Sequence, residues 1–261
     1  MTGIRQRRAG MTKGIAVLAL SMLLFTGCAQ LMKVLQTASA VKELTEGDII
    51  SGLKEALTVG ARNAAGRLAS ENGYYGDPAV KIPLPEEARV IVENISKIPG
   101  GQQLIENVVL SINRAAEDAA REVAPIFVNS VMQMTITDGY NILHGTDNAA
   151  TAYLRNTTQD ELYAIYRPRI SASTSKEIVS GVSAQESWNT LTDKWNSVAN
   201  SVAGKIAGFK PVNTDLDDFL TRKALDGVFL KMEGEELKIR KEVSARVTPL
   251  LQKVFGTLDQ K

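Results

Sequence analysis

Residues 183–202 read SAQESWNTLTDKWNSVANSV and contain the clearest helical pattern in the chain. Ser183 and Glu186 have the spacing of a capping box, in which the two side chains bind backbone N–H groups of the first turn. The apolar residues that follow recur in alternating steps of three and four, which places them on one face of a helix. These residues are Trp188, Leu191, Trp195, Val198 and Val202. The stretch predicts an amphipathic helix whose apolar face contacts a core.

The same periodicity extends through most of the chain on both sides of this stretch. Apolar residues repeat at helical spacing from Ile49 to Leu68, from Leu104 to Val123 and again from Val247 to Leu258. The longest extended apolar segment lies in the loop around Val80, and aromatic residues make up only 5% of the chain. The sequence therefore predicts an all-α fold, with a single multi-helix, bundle-like domain at residues 46–258.

Capping residues and glycines predict where several of these helices begin and end. Gly100 and Gly101 are expected to close one helix, and Thr137 is expected to cap a short helical segment. Thr158 and Glu161 have the spacing of a second capping box.

Small residues recur every four positions at Gly52, Ala56, Gly60 and Ala64 on the first helix of the domain. Such a stripe lets another backbone approach closely. We expect it to pack inside the domain rather than to form a dimer face, because a soluble helix gains nothing from leaving it uncovered.

The first 27 residues have the pattern of an export signal. Four basic residues precede the apolar run GIAVLALSMLLF at residues 14–25, which is too short to span a bilayer. Met11 offers a second, more compact start for the same signal, and both starts remain open.

The run ends in LFTGC at residues 24–28, which resembles the lipobox of bacterial lipoproteins. In such proteins the cysteine is lipidated and becomes the new N-terminus, so Cys28 is the predicted lipidation site. Phe25 stands where an aliphatic residue is usual. The competing site for ordinary secretion is the A-x-A pattern at residues 38–40, which lies farther from the apolar run than a normal cleavage region.

Lipidation of Cys28 would make residues 28–45 a lipidated tether and attach the protein to a bilayer through its acyl chains. By resemblance to lipoprotein sorting in Gram-negative bacteria, Ala29 implies an outer-membrane anchor with the domain facing the periplasm. Loss of residues 1–27 removes four basic and no acidic residues, which leaves a net charge of −3. This balance provides no basic surface for a nucleic-acid partner.

The chemistry available to the chain is limited by one cysteine and one histidine. They exclude an internal disulfide and a histidine-rich metal site, so we expect no metal and no cofactor. We expect His144 to end a short helix, where the helix dipole favours it. A catalytic role is not favoured, since no nucleophile motif accompanies it. A carboxylate pair remains open as an alternative, with Glu117 and either Asp138 or Asp226 acting on a sugar.

Residues 72–84 interrupt the helical pattern with turn formers and two adjacent aromatic residues. Long irregular loops are commonly functional or packed by their own side chains. This loop is the predicted recognition element, carried by Tyr74, Tyr75 and Lys81. The alternative is a lid that seals one end of the helical domain, with the tyrosine rings buried and their hydroxyl groups wet.

Six polar residues on the predicted helices are candidates for a buried network that ties helices together, because charges inside a bundle persist only when they are paired. These residues are Asn113, Arg114, Glu117, Asp226, Glu236 and Arg240.

Eight short motifs in a shared order resemble the bacterial family called domain of unknown function 4197. The resemblance runs from about Leu44 to Leu258. It implies an exported, helical protein, often with a lipobox, and it implies no reaction, cofactor or catalytic residue. The motifs are GLKEAL at 52–57, GYYG at 73–76, KIPLP at 81–85, NRAAE at 113–117, Met134-Thr135, Gly145 with AAT at 149–151, KALDG at 223–227 and LQKVFG at 251–256.

These patterns lead to one functional hypothesis and one alternative. The hypothesis is a non-enzymatic cell-envelope lipoprotein whose domain binds a protein partner or an apolar or envelope-derived ligand. The alternative is an envelope hydrolase that uses the carboxylate pair.

Overall fold

The computed structural model describes residues 44–260, and the residues from Glu46 onward form a compact unit. Cys28, the predicted signal and most of the predicted tether lie outside the described residues. The α-helices of the described part are α1 (Glu46–Leu68), α2 (Arg89–Glu93), α3 (Gly101–Ala120), α4 (Val123–Gln133), α5 (Gly139–Leu143), α6 (Ala149–Thr174), α7 (Ala184–Asn200), α8 (Val202–Ile206), α9 (Leu216–Lys241) and α10 (Pro249–Phe255).

The all-α prediction is confirmed, since residues 44–260 contain helices and no β-strand. Short 3-10 helices supplement the α-helices at Glu86–Ala88, Ile95–Lys97, Val243–Ala245 and Gly256–Gln260. None of the described helices has the length and apolar character needed to cross a bilayer.

Helix α1 lies at the centre of the domain and packs against α4, α9 and α10. Its small residues are buried inside the domain, as the sequence predicts. A Cβ atom on Gly52 would lie 2.6 Å from Cγ2 of Val254 on α10, so only glycine allows this approach. Next to α1, α6 packs on α9 and α3, and α3 carries α7 on its other side.

The capping box at the start of α7 is confirmed. The hydroxyl of Ser183 accepts a hydrogen bond from the N–H of Glu186, and the Glu186 carboxylate accepts one from the N–H of Ser183, both at 3.1 Å. Trp188, Leu191 and Trp195 are buried on one face of α7. Val202 is not part of that face, because α7 ends at Asn200 and the chain turns into α8.

The second capping box was a wrong prediction. Thr158 and Glu161 lie in the middle of α6, which runs without a break from Ala149 to Thr174. The Thr158 hydroxyl donates to the carbonyl of Leu154 at 2.6 Å instead of capping a new helix. The spacing is present, but the N–H groups at this point already bond to carbonyl groups of the preceding turn, so no cap is needed.

Two helix boundaries also differ from the sequence-based expectation. Gly100 has a φ of 68° and precedes α3, so the glycine pair begins a helix instead of closing one. Asp138, not Thr137, caps α5, and its carboxylate accepts from the N–H of Asn141 at 3.0 Å. A carboxylate next to the first turn also suits the positive end of the helix dipole.

Candidate functional site

Residues 72–84, here called the anchored loop, are fastened to the side of α3. The Asn113 amide on α3 bonds to both backbone groups of Ile82 in the loop. Its nitrogen donates to the Ile82 carbonyl at 2.8 Å, and its oxygen accepts from the Ile82 N–H at 2.9 Å. Both residues are buried, so this pair satisfies backbone groups that would otherwise lack partners away from water.

One helical turn further along α3, Glu117 holds the first part of the anchored loop. Its Oε1 atom accepts from the N–H groups of Tyr74 and Tyr75 at 3.1 and 3.0 Å. Its Oε2 atom accepts from Arg114 at 2.6 Å, and Arg114 also donates to the side chain of Asn72 at 3.0 Å. Arg114 therefore compensates the buried negative charge of Glu117, while the carboxylate fixes two loop amides.

The Tyr74 ring extends from the anchored loop to α9. Its hydroxyl donates to the carbonyl of Ala224 at 2.8 Å. A Cβ on Gly227 would lie 2.7 Å from the ring, so glycine leaves the space that the ring occupies. Burial raises the pKa of Tyr74 well above its ordinary value, and Tyr166 and Glu117 raise it further. The hydroxyl therefore stays protonated and keeps its hydrogen bond.

A further contact to α9 comes from Asp77 in the loop, which pairs with Lys231. The hydrogen bond from Lys231 lowers the pKa of Asp77 from its ordinary value. Four of the short motifs thus meet at one place. The loop contains GYYG and all but the last residue of KIPLP, while α3 contains NRAAE and α9 contains KALDG. The contacts of these motifs with one another hold the loop in a single arrangement.

The structure separates the three predicted recognition residues. Tyr74 is fully buried, so it supports the loop from inside and does not present a surface to a partner. The prediction that Tyr74 is a recognition residue is therefore corrected. Tyr75 is half-buried beneath Lys81, whose Nζ lies 4.1 Å from the ring centroid, and Arg114 lies 5.7 Å from the same centroid. Tyr75 and Lys81 remain at the surface.

The outer side of the anchored loop forms one wall of a mostly apolar groove of about 570 Å³. Its other walls come from α2 and α3. Two prolines, Pro78 and Pro83, restrict the backbone of the first wall, since proline fixes φ, and Pro85 follows directly after it. The lining residues are Pro78, Lys81, Pro83, Leu84, Pro85, Glu86, Arg89, Val92, Ile105 and Val109. The groove combines an apolar floor with a few charged groups, as small-molecule and peptide sites commonly do.

The six residues of the predicted polar network fall into three separate groups. Asn113, Arg114 and Glu117 hold the anchored loop. Glu236 and Arg240 form a second group near the start of α6, and Asp226 belongs to a third group at the surface between α6 and α9. Their side chains make hydrogen bonds and ion pairs between elements of the fold, but the six residues do not form one network.

The second group joins α9 to the N-terminus of α6. The Glu236 carboxylate accepts from the N–H groups of Ala150 and Thr151 at 3.0 and 2.7 Å. Arg240 donates to that carboxylate at 2.7 Å and to the carbonyl of Leu143 at 2.6 Å. Both side chains are 3% exposed. A buried ion pair persists here because backbone groups satisfy its remaining hydrogen-bonding capacity.

The third group lines a cleft of about 570 Å³ between α6 and α9. Asp226 pairs with Arg155, while Asp218 accepts from Tyr163 and pairs with Arg222 at 3.0 Å. The hydrogen bonds from Arg222 and then from Tyr163 lower the pKa of Asp218. A general acid requires the opposite shift, because it must be protonated near neutral pH.

The carboxylate pairs considered for hydrolysis have other partners in the structure. Both oxygens of Glu117 bind loop amides or Arg114, Asp138 caps α5, and Asp226 pairs with Arg155. This arrangement gives no support to the hydrolase alternative.

The remaining candidate for acid–base chemistry, His144, ends α5. Its ring lies 4.3 Å from the ring of Tyr140. Across residues 44–260, no group of three or more histidine, cysteine or acidic side chains is placed to hold a metal ion.

The sequence does not reveal several long-range contacts that hold the helices and the anchored loop together. Tyr74 and Ala224 are 150 positions apart, and no local pattern links them. A second buried acid, Glu235, bonds to Asn63 at 2.6 Å and pairs with Arg67 at 2.9 Å, which fastens α9 to α1. The adjacent acids at 235 and 236 were the only local signal of this contact.

Comparison with known proteins identifies a family but no characterised relative. A family described as a protein of unknown function (DUF4197) matches residues 43–256. No curated protein and no solved structure matches the chain.

Proposed function

The chain belongs to the DUF4197 family of proteins of unknown function, and we propose that it is a non-enzymatic cell-envelope lipoprotein. In this proposal the helical domain binds a protein partner or an apolar, envelope-derived ligand in the groove beside the anchored loop. The acyl chains on Cys28 attach it to the outer membrane, and the domain faces the periplasm.

The binding proposal rests on the apolar groove beside the anchored loop, whose backbone is held in place by α3 and α9. Asn113 and Glu117 on α3 bind the loop backbone, and Tyr74 and Lys231 connect the loop to α9. A wall held in this way loses little conformational freedom when a ligand binds, which favours affinity.

The sequence around Cys28 supports the proposed location at the outer membrane. A basic segment, a short apolar run and the lipobox-like LFTGC follow one another in the order that lipoprotein export requires. Two or more acyl chains give stable attachment without a membrane-spanning helix.

The groove is tested by Val92→Asp. Val92 lines the groove and is 45% exposed, so a carboxylate there should leave the fold intact. It should weaken binding of the amphiphilic anion anilinonaphthalene sulfonate by about tenfold, because a carboxylate in the groove opposes contact with the apolar rings of the probe. The same variant should lose the lipids or proteins that co-purify with the native chain.

The matched control is Leu237→Asp, which places the same charge at a 42% exposed leucine on α9. This variant should bind the probe as the native chain does. Equal probe binding by both variants and the native chain, measured by fluorescence titration, would rule out the groove as the ligand site.

Cys28→Ser tests the anchor. Without the thiol no lipid can be attached, so the chain should accumulate as an unprocessed precursor or a soluble species instead of a detergent-extractable mature form. Mass spectrometry of the native N-terminus provides the measurement. An unlipidated mature N-terminus at Val41 would show that ordinary secretion operates instead.

A further inference from the structure

The short helix α8 carries the two most exposed large apolar side chains found in residues 44–260. Val202 is 77% exposed and Ile206 is 82% exposed. They are four residues apart on a helix, so they share one face. We call residues 201–211 the α8 tip. Isolated exposed aliphatic residues are ordinary, but a highly exposed pair on one face of a short helix indicates a contact surface.

The α8 tip is held firmly by α7. The Trp195 indole donates to the carbonyl of Lys210 at 3.0 Å, and the Trp195 ring lies 5.2 Å from the ring of Phe209. At the other end, a Cβ on Gly204 would lie 2.1 Å from the carbonyl oxygen of Val198, so the close approach requires glycine. Val202 and Ile206 thus project from a prearranged support.

The charge around this apolar pair is positive. Lys205 and Lys210 belong to the α8 tip and are exposed, and Lys97 lies 4.5 Å from the centroid of the Phe209 ring. No aspartate or glutamate occurs from residue 194 to residue 214. The chain from Cys28 onward has a net charge of −3, so the tip differs in sign from the rest of the protein.

We propose that the α8 tip contacts the surface of a bilayer that contains anionic phospholipids. Val202 and Ile206 enter the boundary between headgroups and acyl chains, and Lys205 and Lys210 lie beside the phosphates. Exposed aliphatic residues flanked by lysines are the combination that binds such surfaces. The contact does not depend on lipidation of Cys28.

The small size of the α8 tip favours a lipid surface over a protein partner. A stable protein interface buries about 1,000 Å² or more with close complementarity. The α8 tip is a short segment with two highly exposed aliphatic side chains, and a fluid headgroup region can bury them without a complementary protein surface. The polar neighbours stay hydrated while the two side chains are buried.

The experiment places an environment-sensitive dye at position 206 in Ile206→Cys. The full chain is purified in detergent, whether or not it carries lipid, and reconstituted with vesicles of phosphatidylcholine, either alone or with phosphatidylglycerol. The matched control is Met132→Cys, since Met132 is 69% exposed on α4, which packs on α1 and α6. The same dye is applied to the native chain, in which Cys28 is the one cysteine. Its fluorescence gives the background, and a lack of labelling shows that the Cys28 thiol is acylated.

The dye at position 206 should shift its emission to shorter wavelength when phosphatidylglycerol is present. Lipids with a nitroxide headgroup should quench it several-fold more than the dye at position 132, and high salt should reverse the effect. Lys205→Ala and Lys210→Ala should each lower the ratio of lipid-contacting to water-exposed dye roughly fivefold. All four positions are exposed, so the fold should be retained.

Two results overturn the proposal. One is a dye at position 206 that stays as water-exposed as the dye at position 132. The other is equal insertion into both kinds of vesicle, which would remove the role of the lysines. Failure here leaves the groove and the Cys28 anchor untouched, because their tests use different residues and readouts.

Discussion

Replacing Glu236 with alanine should lower the free energy of unfolding by about 3–5 kcal/mol. The substitution leaves the Arg240 guanidinium buried at 3% exposure without its carboxylate. It also removes the acceptor for the N–H groups of Ala150 and Thr151 at the start of α6. A buried charge and two buried amides then lack their partner, and each opposes folding. Urea denaturation followed by circular dichroism measures the loss.

Two control variants separate this effect from general loss of charge. Glu236→Gln keeps an oxygen that can accept from the α6 amides, so its effect should be intermediate. Glu86→Ala removes a carboxylate that pairs with Arg89 at the surface, where the two side chains are 78% and 69% exposed. It should leave the unfolding midpoint close to that of the native chain. A Glu236→Ala midpoint equal to that of Glu86→Ala would contradict the buried ion pair.

Replacing Trp195 with alanine should also lower the free energy of unfolding by about 3–5 kcal/mol. The ring is fully buried between α7 and its neighbours, so its removal leaves a large cavity. The substitution also deletes the hydrogen bond to the Lys210 carbonyl and the contact with Phe209. The turn that supports the α8 tip should therefore loosen, with faster hydrogen exchange at residues 205–212.

The matched control is Val202→Ala, which lies on the same predicted apolar stripe. Since Val202 is 77% exposed, the shortened side chain should leave the unfolding midpoint unchanged. The two variants together test where the buried face of α7 ends. A native-like midpoint for Trp195→Ala would show that this face is not part of the core.

The local patterns that the sequence predicted correctly share one physical origin. The Ser183 and Glu186 cap and the buried Trp188 and Trp195 depend on spacings of three and four residues. Backbone geometry places such residues side by side in any helix, so no distant contact has to be known. The Thr158 prediction failed because the same spacing occurs inside a long helix that tertiary packing keeps unbroken.

The candidate site was predictable in part. The irregular loop and the types of buried polar residue were identified, because turn formers and charges on apolar helix faces are visible in sequence. The buried position of Tyr74 was not, since its burial depends on Gly227 and Ala224 on α9. The α8 tip was hidden as well, because Val202 fits the apolar period of a helix that ends two residues earlier.

The sequence by itself determined the helical class, the α7 cap, the small-residue face of α1 and the apolar face of α7, since these depend on interactions within a few residues. Only the tertiary structure decided which partners the polar residues have. Glu117 meets Tyr74 across 43 positions, and Glu236 meets Thr151 across 85. Such pairs form when segments distant in the chain pack together, and the need to satisfy buried charges and amides then selects the partner within reach.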